Sequence, residues 1–571
     1  MNIAIVTGDK AVEALDRPSI EADWNALYAR CPWATGFQTF GYAAAWYRCY
    51  RDFYEPILVT ATSAGEAVGV LPLARATQSR RFVVAGGHQA EYQAWIAEPV
   101  QSDAFIVTAL DALRDRFPGF RLVMRYVPPG VPLGALVADG GREHCCRLSA
   151  FPRPLWGLAG EAATAVAEGG DTSKRKLKAL AKLGTLEFRH VQSVEEFERL
   201  LPEMALYYDL RQGATHDILP FTTDTPKAEF HRALFRVPGL LHVTVLIAGG
   251  TLVSAQVAFC SRTTVHLGFW SQSPFMTRYS PGKLHLAMLG PLAKDEGWVA
   301  VDLTPGHDWY KERYATEHDE VYEIVAYPHR RAFTAARWGG ATETAVRHAL
   351  HLVHVDAADV KKVAARLQPS QALASALAGV RQISRPDTCA VLWLENARAR
   401  ELAESGCGAR DRVADCLQYT PAGAASRSRQ DFLSACQDRF ARGDHCISAC
   451  NDEGLEWCGW FGDRKAGAAL GETPLPVTLP VDATVCYDVL VPAGATGVRR
   501  DAWLKELIVT AARSSRAPRI YMAVPGDDAG CRRALETLGF TVEQVLARGA
   551  GSDRQGPHPE RGGSGAGRTT E

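Results

Sequence analysis

The stretch that most narrows what this chain can fold into is Ser280-Pro281-Gly282-Lys283. Proline fixes φ and has no backbone N–H, so it suits the first turn of a helix and neither a helix interior nor a central strand. A serine just before it suits an N-cap. The tetrapeptide therefore reads as the end of an extended run and the start of a helix. Three apolar, β-branched runs precede it: Leu241 to Ile247, Val253 to Cys260 and Thr264 to Trp270. Ala248-Gly249-Gly250 joins the first two as a hairpin. The helix continues from Lys283 to Glu296, and Val299 to Leu303 reads as a further strand that carries Asp302. A turn at Thr304-Pro305-Gly306 then leads to Tyr310-Lys311. The order strand–strand–strand–helix–strand–helix predicts an α/β lobe over residues 170–338. Gly282 lets a ligand approach the backbone, and the first helical turn offers unpaired N–H groups at the positive end of a dipole. With Lys283 alongside, this is an anion site suited to phosphate or pyrophosphate.

The remaining sequence divides into units. Residues 1–150 read as a first mixed α/β lobe. Its helices are Ala22 to Ala29, Tyr42 to Arg51 and Phe105 to Phe117, and its strands are Pro56 to Thr62, Ala67 to Leu73 and Leu122 to Val127. Residues 340–400 are Ala-rich with interleaved charge and read as a helical linker. Residues 410–547 read as a third α/β unit, with strands at Val485 to Val491 and Arg519 to Val524 and an apolar helix face at Trp503, Leu504, Leu507 and Ile508. Residues 548–571 are rich in Gly, Arg and Ser and read as disordered.

With 63 basic and 64 acidic residues the net charge is -1, which gives no global electrostatic case for DNA. No apolar run approaches the ~20 residues that cross a bilayer, and the N-terminus lacks the pattern of a signal peptide. The expected location is cytoplasmic, and the 14 cysteines are expected to be reduced. His445, Cys446, Cys450 and Cys458 lack the paired spacing of a structural zinc site. His348, His351 and His354 drift around a helix and do not converge. No metal ligand set is read from the sequence.

Ser-Pro-Gly at 280–282, followed by Gly297, Asp302, Gly306 and Tyr310-Lys311, resembles the GNAT-like acyltransferase domain of the CelD type, named from bacterial cellulose and exopolysaccharide loci. Those proteins share a tandem-GNAT architecture with the Fem aminoacyltransferases. Trp24, Phe37-Gln38, Trp46 and Gly69 to Leu73 resemble the start of the first lobe, and Lys174-Arg175-Lys176 the basic entry to the second. The likeness spans residues ~20–335 and lies in order and spacing. It implies tandem GNAT-like lobes, and Leu535 to Phe540 resembles the terminal GNAT helix of a third. In that third unit Gly494 stands where a basic residue is usual and Arg499 where a small one is, so its phosphate loop is degenerate.

The resemblance implies a transferase with no permanent cofactor, using acyl-CoA, acetyl-CoA first, as donor to a small or sugar-linked acceptor. It casts Lys311 as the group that stabilises charge on the reacting carbonyl, with Tyr310 beside it. Asp302 is either a proton acceptor or a helix cap, with His307 and Asp308 as equal candidates for the base. Ser280, Gly282, Lys283, Lys174 and Arg175 would meet the CoA phosphates. Glu91-Tyr92 stands where the family has Asp-Tyr, and with Arg211 would contact the acceptor. The basic run Lys174 to Lys182 is also compatible with a solvated helix face or with tRNA, so an aminoacyl-tRNA-dependent transferase and a non-catalytic scaffold are the alternative readings.

Overall fold

The computed structural model describes residues 1–159, 170–306, 309–337, 388–403, 406–422, 426–468, 478–490 and 497–547. Two compact units emerge, Met1–Arg366 with Arg427–Arg442, and Leu367–Ser426 with Gly443–Glu571.

The first unit is built on one sheet of 13 strands among the described residues. Its strands are β1 (Asn2–Thr7), β2 (Tyr54–Ser63), β3 (Glu66–Ala76), β4 (Phe82–Val84), β5 (Ile96–Ala97), β6 (Leu122–Val127), β7 (Cys146–Gly157), β8 (Leu186–His190), β9 (Leu241–Ala248), β10 (Thr251–Ser261), β11 (Thr264–Gln272), β12 (Ala300–Asp302) and β13 (Glu317–Ala326). The spatial order is β1-β2-β3-β4-β6-β13-β7-β12-β11-β10-β9-β8, with β5 added to β3. The two lobes exchange strands at their seam. β13, from the end of the second lobe, lies between β6 and β7 of the first, and β7 in turn pairs with β12. The division near residue 150 is thus a division of sequence and not of sheet.

Helices α1 (Pro18–Arg30), α2 (Phe40–Tyr50) and α3 (Ser102–Arg116) serve the first lobe. Helices α4 (Gly170–Leu180), α5 (Val194–His216), α6 (Pro281–Asp295) and α7 (Trp309–Tyr314) serve the second. In each lobe a parallel strand pair is bridged by a helix, as a parallel crossover requires. β4 and β6 are bridged by α3, and β11 and β12 by α6. The expected second-lobe order is present. α6 lies close on the sheet: a Cβ at Gly290 would sit 2.4 Å from Trp156 Cη2, so only glycine permits this approach. Its Leu286 and Leu289 pack in one apolar cluster with Trp156 and Val301 of the sheet.

Helix α8 (Arg429–Arg442) belongs to the first unit although it falls inside the 410–547 segment. Phe440 meets Phe275 edge-on with centroids 4.7 Å apart, and Gln430 Nε2 donates to the Thr215 carbonyl at the end of α5.

The second unit has a seven-stranded sheet among the described residues, ordered β15-β16-β17-β18-β19-β14-β20. Here β14 is Thr388–Glu395, β15 Ala409–Arg410, β16 His445–Asn451, β17 Gly454–Arg464, β18 Ala483–Leu490, β19 Arg519–Pro525 and β20 Thr541–Ala547. β18 and β19 are again parallel and are bridged by α9 (Gly497–Ser514). The linker expectation for 340–400 is corrected at its end: Thr388–Glu395 is a strand of this sheet, paired antiparallel between β19 and the edge strand β20. Residues 340–387, the loop 491–496 with Gly494, and the 548–571 tail lie outside the described residues. So do His348, His351 and His354. All 14 cysteines carry free thiols. No helix of the described residues is long and apolar enough to cross a membrane.

Candidate active site

β11 and β12 pair in parallel only over Thr264–His266 and Ala300–Asp302. Beyond that point β11 runs on to Gln272 while β12 ends, so the two strands part. A ligand site in an open α/β sheet forms beyond the carboxyl ends of such strands. A cavity of about 470 Å³ occupies this place. Gly268, Trp270 and Gln272 of β11 line one wall, Tyr208 and Arg211 of α5 another, and Thr304, Tyr310 and Lys311 a third. Ser280, Pro281, Gly282 and Lys283 line its mouth. The register of β10 with β11 shifts between Gln256 and Ala258, which face Trp270 and Leu267, so β11 holds one extra residue there. A bulge of this kind leaves its extra residue outside the ladder.

The start of α6 differs from its sequence reading. The residues before it, Pro274–Tyr279, form a 3₁₀ helix and not an extended run. Ser280 adopts a left-handed conformation, φ 55°, and its side chain caps nothing. Its hydroxyl accepts a hydrogen bond from Lys176 Nζ instead. The first amide groups of α6 therefore keep no side-chain cap from Ser280. Gly282 packs against Gln272, whose Nε2 would lie 2.8 Å from an added Cβ. Of the basic run on α4, Lys174 and Arg175 are exposed and do not line the cavity; Lys176 is the member that reaches the α6 turn.

Asp302 is fully buried. Its Oδ2 accepts from the Tyr92 hydroxyl at 2.5 Å and contacts His266 Nδ1 at 2.7 Å and Arg153 Nη1 at 3.4 Å. Its Oδ1 accepts from the Thr304 backbone N–H at 2.8 Å. Burial alone would push this carboxyl up, but the bonds from His266, Arg153 and Tyr92 together hold it below the usual carboxylate range. A carboxylate with both oxygens committed and no solvent contact is a poor proton acceptor for a substrate, and Asp302 is reassigned to holding the loop. Tyr92, also fully buried, belongs to the same network and offers no hydroxyl to an acceptor. Arg153 extends the network to Asp319 on β13, at 2.7 Å from Nε to Oδ1.

The sequence reading missed Arg153 and His266. A single histidine within the apolar run Thr264 to Trp270 was the available signal. The site also draws on the strand exchange, since Arg153 lies on β7 and Asp302 on β12.

Lys311 is buried, with Nζ donating to the carbonyls of Thr304 at 3.1 Å and Pro305 at 3.2 Å. Those carbonyls sit in the loop that Asp302 fixes, where Thr304 is left-handed at φ 63°. His307 and Asp308 lie outside the described residues. Glu91 is partly buried and has no hydrogen-bond partner among the described residues. Burial pushes its carboxyl up to about 7; Arg125 and Lys311 oppose this, and Asp302 adds to it. Its charge also acts on Tyr208 at the cavity wall. Arg211 packs its guanidinium 5.7 Å from the Tyr208 ring centre.

Residues 171–312 match the model of a family described as an acetyltransferase (GNAT) domain. No curated protein matches the chain in sequence. Among solved structures it is similar to FemX, at 10% identity, TM-score 0.38, covering 53% of this chain and 95% of that one. It is also similar to a tandem GNAT protein from the clavulanic acid biosynthesis pathway, at 13% identity and TM-score 0.33, covering 57% and 99%. A GCN5-related N-acetyltransferase from Kribbella flavida matches at 15% identity and TM-score 0.25, covering 47% and 89%. The segment that matches the acetyltransferase (GNAT) domain model, 171–312, is the one that holds the parting strands, the α6 turn and Lys311.

Proposed function

We propose that the second lobe transfers an acyl group, acetyl first among candidates, from acyl-CoA to an amine or hydroxyl of a small or sugar-linked acceptor. The observation that carries this reading is the cavity between the parting ends of β11 and β12, with the first turn of α6 at its mouth and Lys311 in its wall. The pyrophosphate of CoA would meet the amide groups after Ser280, with Lys283 and Lys176 supplying positive charge. The thioester would lie along β11 near its bulge.

The acceptor nitrogen or oxygen attacks the thioester carbon, the C–S bond breaks, and CoA leaves as its thiolate. Lys311 would stabilise the negative charge that develops on the carbonyl oxygen. Glu91 would be the proton acceptor: it is a partly buried carboxyl pushed up to about 7, whose charge acts on Tyr208 of the cavity wall, and such a carboxyl suits that task. The proton lost by the acceptor passes to Glu91 and is then available to the departing thiolate, so no net proton is consumed. Arg211, with its guanidinium beside the Tyr208 ring, would contact the acceptor. Holding donor and acceptor together in this cavity supplies the entropic part of the acceleration.

Thermal unfolding of the purified chain with acetyl-CoA, a longer acyl-CoA and free CoA tests the reading. Ligand at about a hundred times its dissociation constant stabilises by ~2.7 kcal/mol. A raised midpoint with one acyl-CoA, abolished in Gly282→Leu with the ligand-free midpoint little changed, is the expected result. No shift with any CoA species overturns it and turns attention to aminoacyl-tRNA, which the exposed Lys174, Arg175 and Lys178 would meet, and then to a scaffold.

A further inference from the structure

At the opposite end of α6 from the cavity, three side chains converge. His190 closes β8 and His242 lies near the start of β9. The two strands are antiparallel with His190 opposite Thr244, so His242 is the diagonal neighbour of His190 on the same face. Their rings are 4.3 Å apart and tilted by 41°. Glu296, the residue that ends α6, places one oxygen on each ring: Oε1 is 3.1 Å from His190 Nδ1, and Oε2 is 2.6 Å from His242 Nε2. These donor atoms all lie within 4.8 Å of one another, and among the described residues this is the one group of three that meets that test. The cysteine-rich region around His445, Cys446, Cys450 and Cys458 does not.

We propose that His190, His242 and Glu296 bind a first-row divalent cation of zinc-like chemistry. Two imidazoles and a carboxylate are a donor set suited to such ions, with water completing the shell. Three further observations agree. The last carbonyls of α6 make its C-terminal end the negative end of the helix dipole, which favours a cation. His242 is fully buried, yet its Nδ1 has no hydrogen-bond partner, an unfavourable arrangement for a histidine kept only for packing. His190 and Glu296 are each about 25% exposed, which leaves a path for the ion.

The cation would be structural. Fifteen residues of helix separate Pro281 from Glu296, about 22 Å, so it cannot touch the acyl group. It would pin β8 and β9 to the end of the helix whose first turn forms the cavity mouth. This assignment does not depend on the acyltransferase reading.

The test is calorimetric titration of EDTA-stripped full-length protein with ZnCl₂, on the wild type and on His190→Gln and Glu296→Gln separately. One site per chain, weakened at least tenfold in both variants, is the expected result, with Zn²⁺ raising the unfolding midpoint of the wild type only. The 14 free thiols are the competing ligands. Co²⁺ separates them: the proposed site gives weak visible bands without intense near-ultraviolet thiolate charge transfer. Equal binding by wild type and variants, a thiolate signature for the one tight site, or no binding by the wild type at millimolar Zn²⁺ would each overturn the proposal. Should His190→Gln fail to unfold cooperatively, Glu296→Gln decides alone, since its neutral amide keeps the shape and one hydrogen bond.

Discussion

His266 Nδ1 stands 2.7 Å from Asp302 Oδ2 at the last paired position of β11 and β12, the point from which the two strands part around the cavity. The pair fastens the sheet where its ladder stops. Through the other oxygen of Asp302 it also sets the Thr304 loop on which Lys311 rests.

Asp302→Asn is therefore expected to act first on stability. It leaves Arg153 and His266 facing a neutral amide in a buried network, and breaking such a network costs about 3–5 kcal/mol. Urea unfolding would show a lower midpoint with an unchanged slope. A variant of wild-type stability with lost turnover would instead restore Asp302 as a group acting on the substrate.

Lys311→Met should leave acyl-CoA affinity within a few-fold and lower kcat by about 10²–10³, the usual consequence of removing one donor to a developing oxyanion. Separate measurement of donor affinity and turnover checks this. A loss confined to affinity would place Lys311 on the CoA phosphates.

Glu91 gives a prediction with two signs. Its carboxyl, at about 7, lies above the ordinary value of 4.5, so ionising it destabilises the fold. Stability from this group is complete below 4.5 and is lost as pH rises through 7. Glu91→Gln should raise the unfolding midpoint above pH 7, by on the order of 1 kcal/mol, while cutting turnover by about 10²–10⁴. The wild-type rate should climb through a limb near pH 7 that the variant lacks. A variant that keeps both the rate and the limb assigns the proton to another acceptor.

Two core histidines weaken the first unit in acid. His285 of α6 is fully buried with Thr244 Oγ1 at 2.9 Å and Ser254 Oγ at 2.8 Å. His231 has Nδ1 2.7 Å from the Lys227 carbonyl. Burial pushes both down to about 3 from 6.5. A depressed histidine contributes stability that is complete above 6.5 and is lost as pH falls towards 3. Each costs up to about 1.4 kcal/mol per pH unit in that window. Stability measured from pH 7 to 4 should fall accordingly, and His285→Gln should flatten the slope by one such step.

Much was legible in local sequence. The hairpin at Gly249-Gly250, the run of three strands and the proline-led helix rest on turn chemistry and hydrophobic period, which act over a few residues. So does the turn at Thr304-Pro305-Gly306 ahead of Tyr310-Lys311, whereas the burial of Lys311 with its Nζ on the carbonyls of that turn was not read. The buried state of Asp302 was not legible, because its partners Tyr92, Arg153 and His266 come from three other strands or loops, and the nearest is 36 residues off. The left-handed Ser280 with its hydroxyl on Lys176 was likewise out of reach, since a serine before proline fits a cap equally well.

The sequence by itself thus determined the three strands, the helix and the short strand between Leu241 and Leu303, and the proline-led start of that helix, because these follow from backbone sterics and periodicity. Tertiary structure alone decided the exchange of β13 and β7 between the lobes and the membership of α8 in the first unit. It also decided that Asp302 is held in a buried network while burial pushes Glu91 up. Those outcomes depend on burial and on charges brought together from distant residues, and on strand pairings whose energies differ only once the whole sheet has closed.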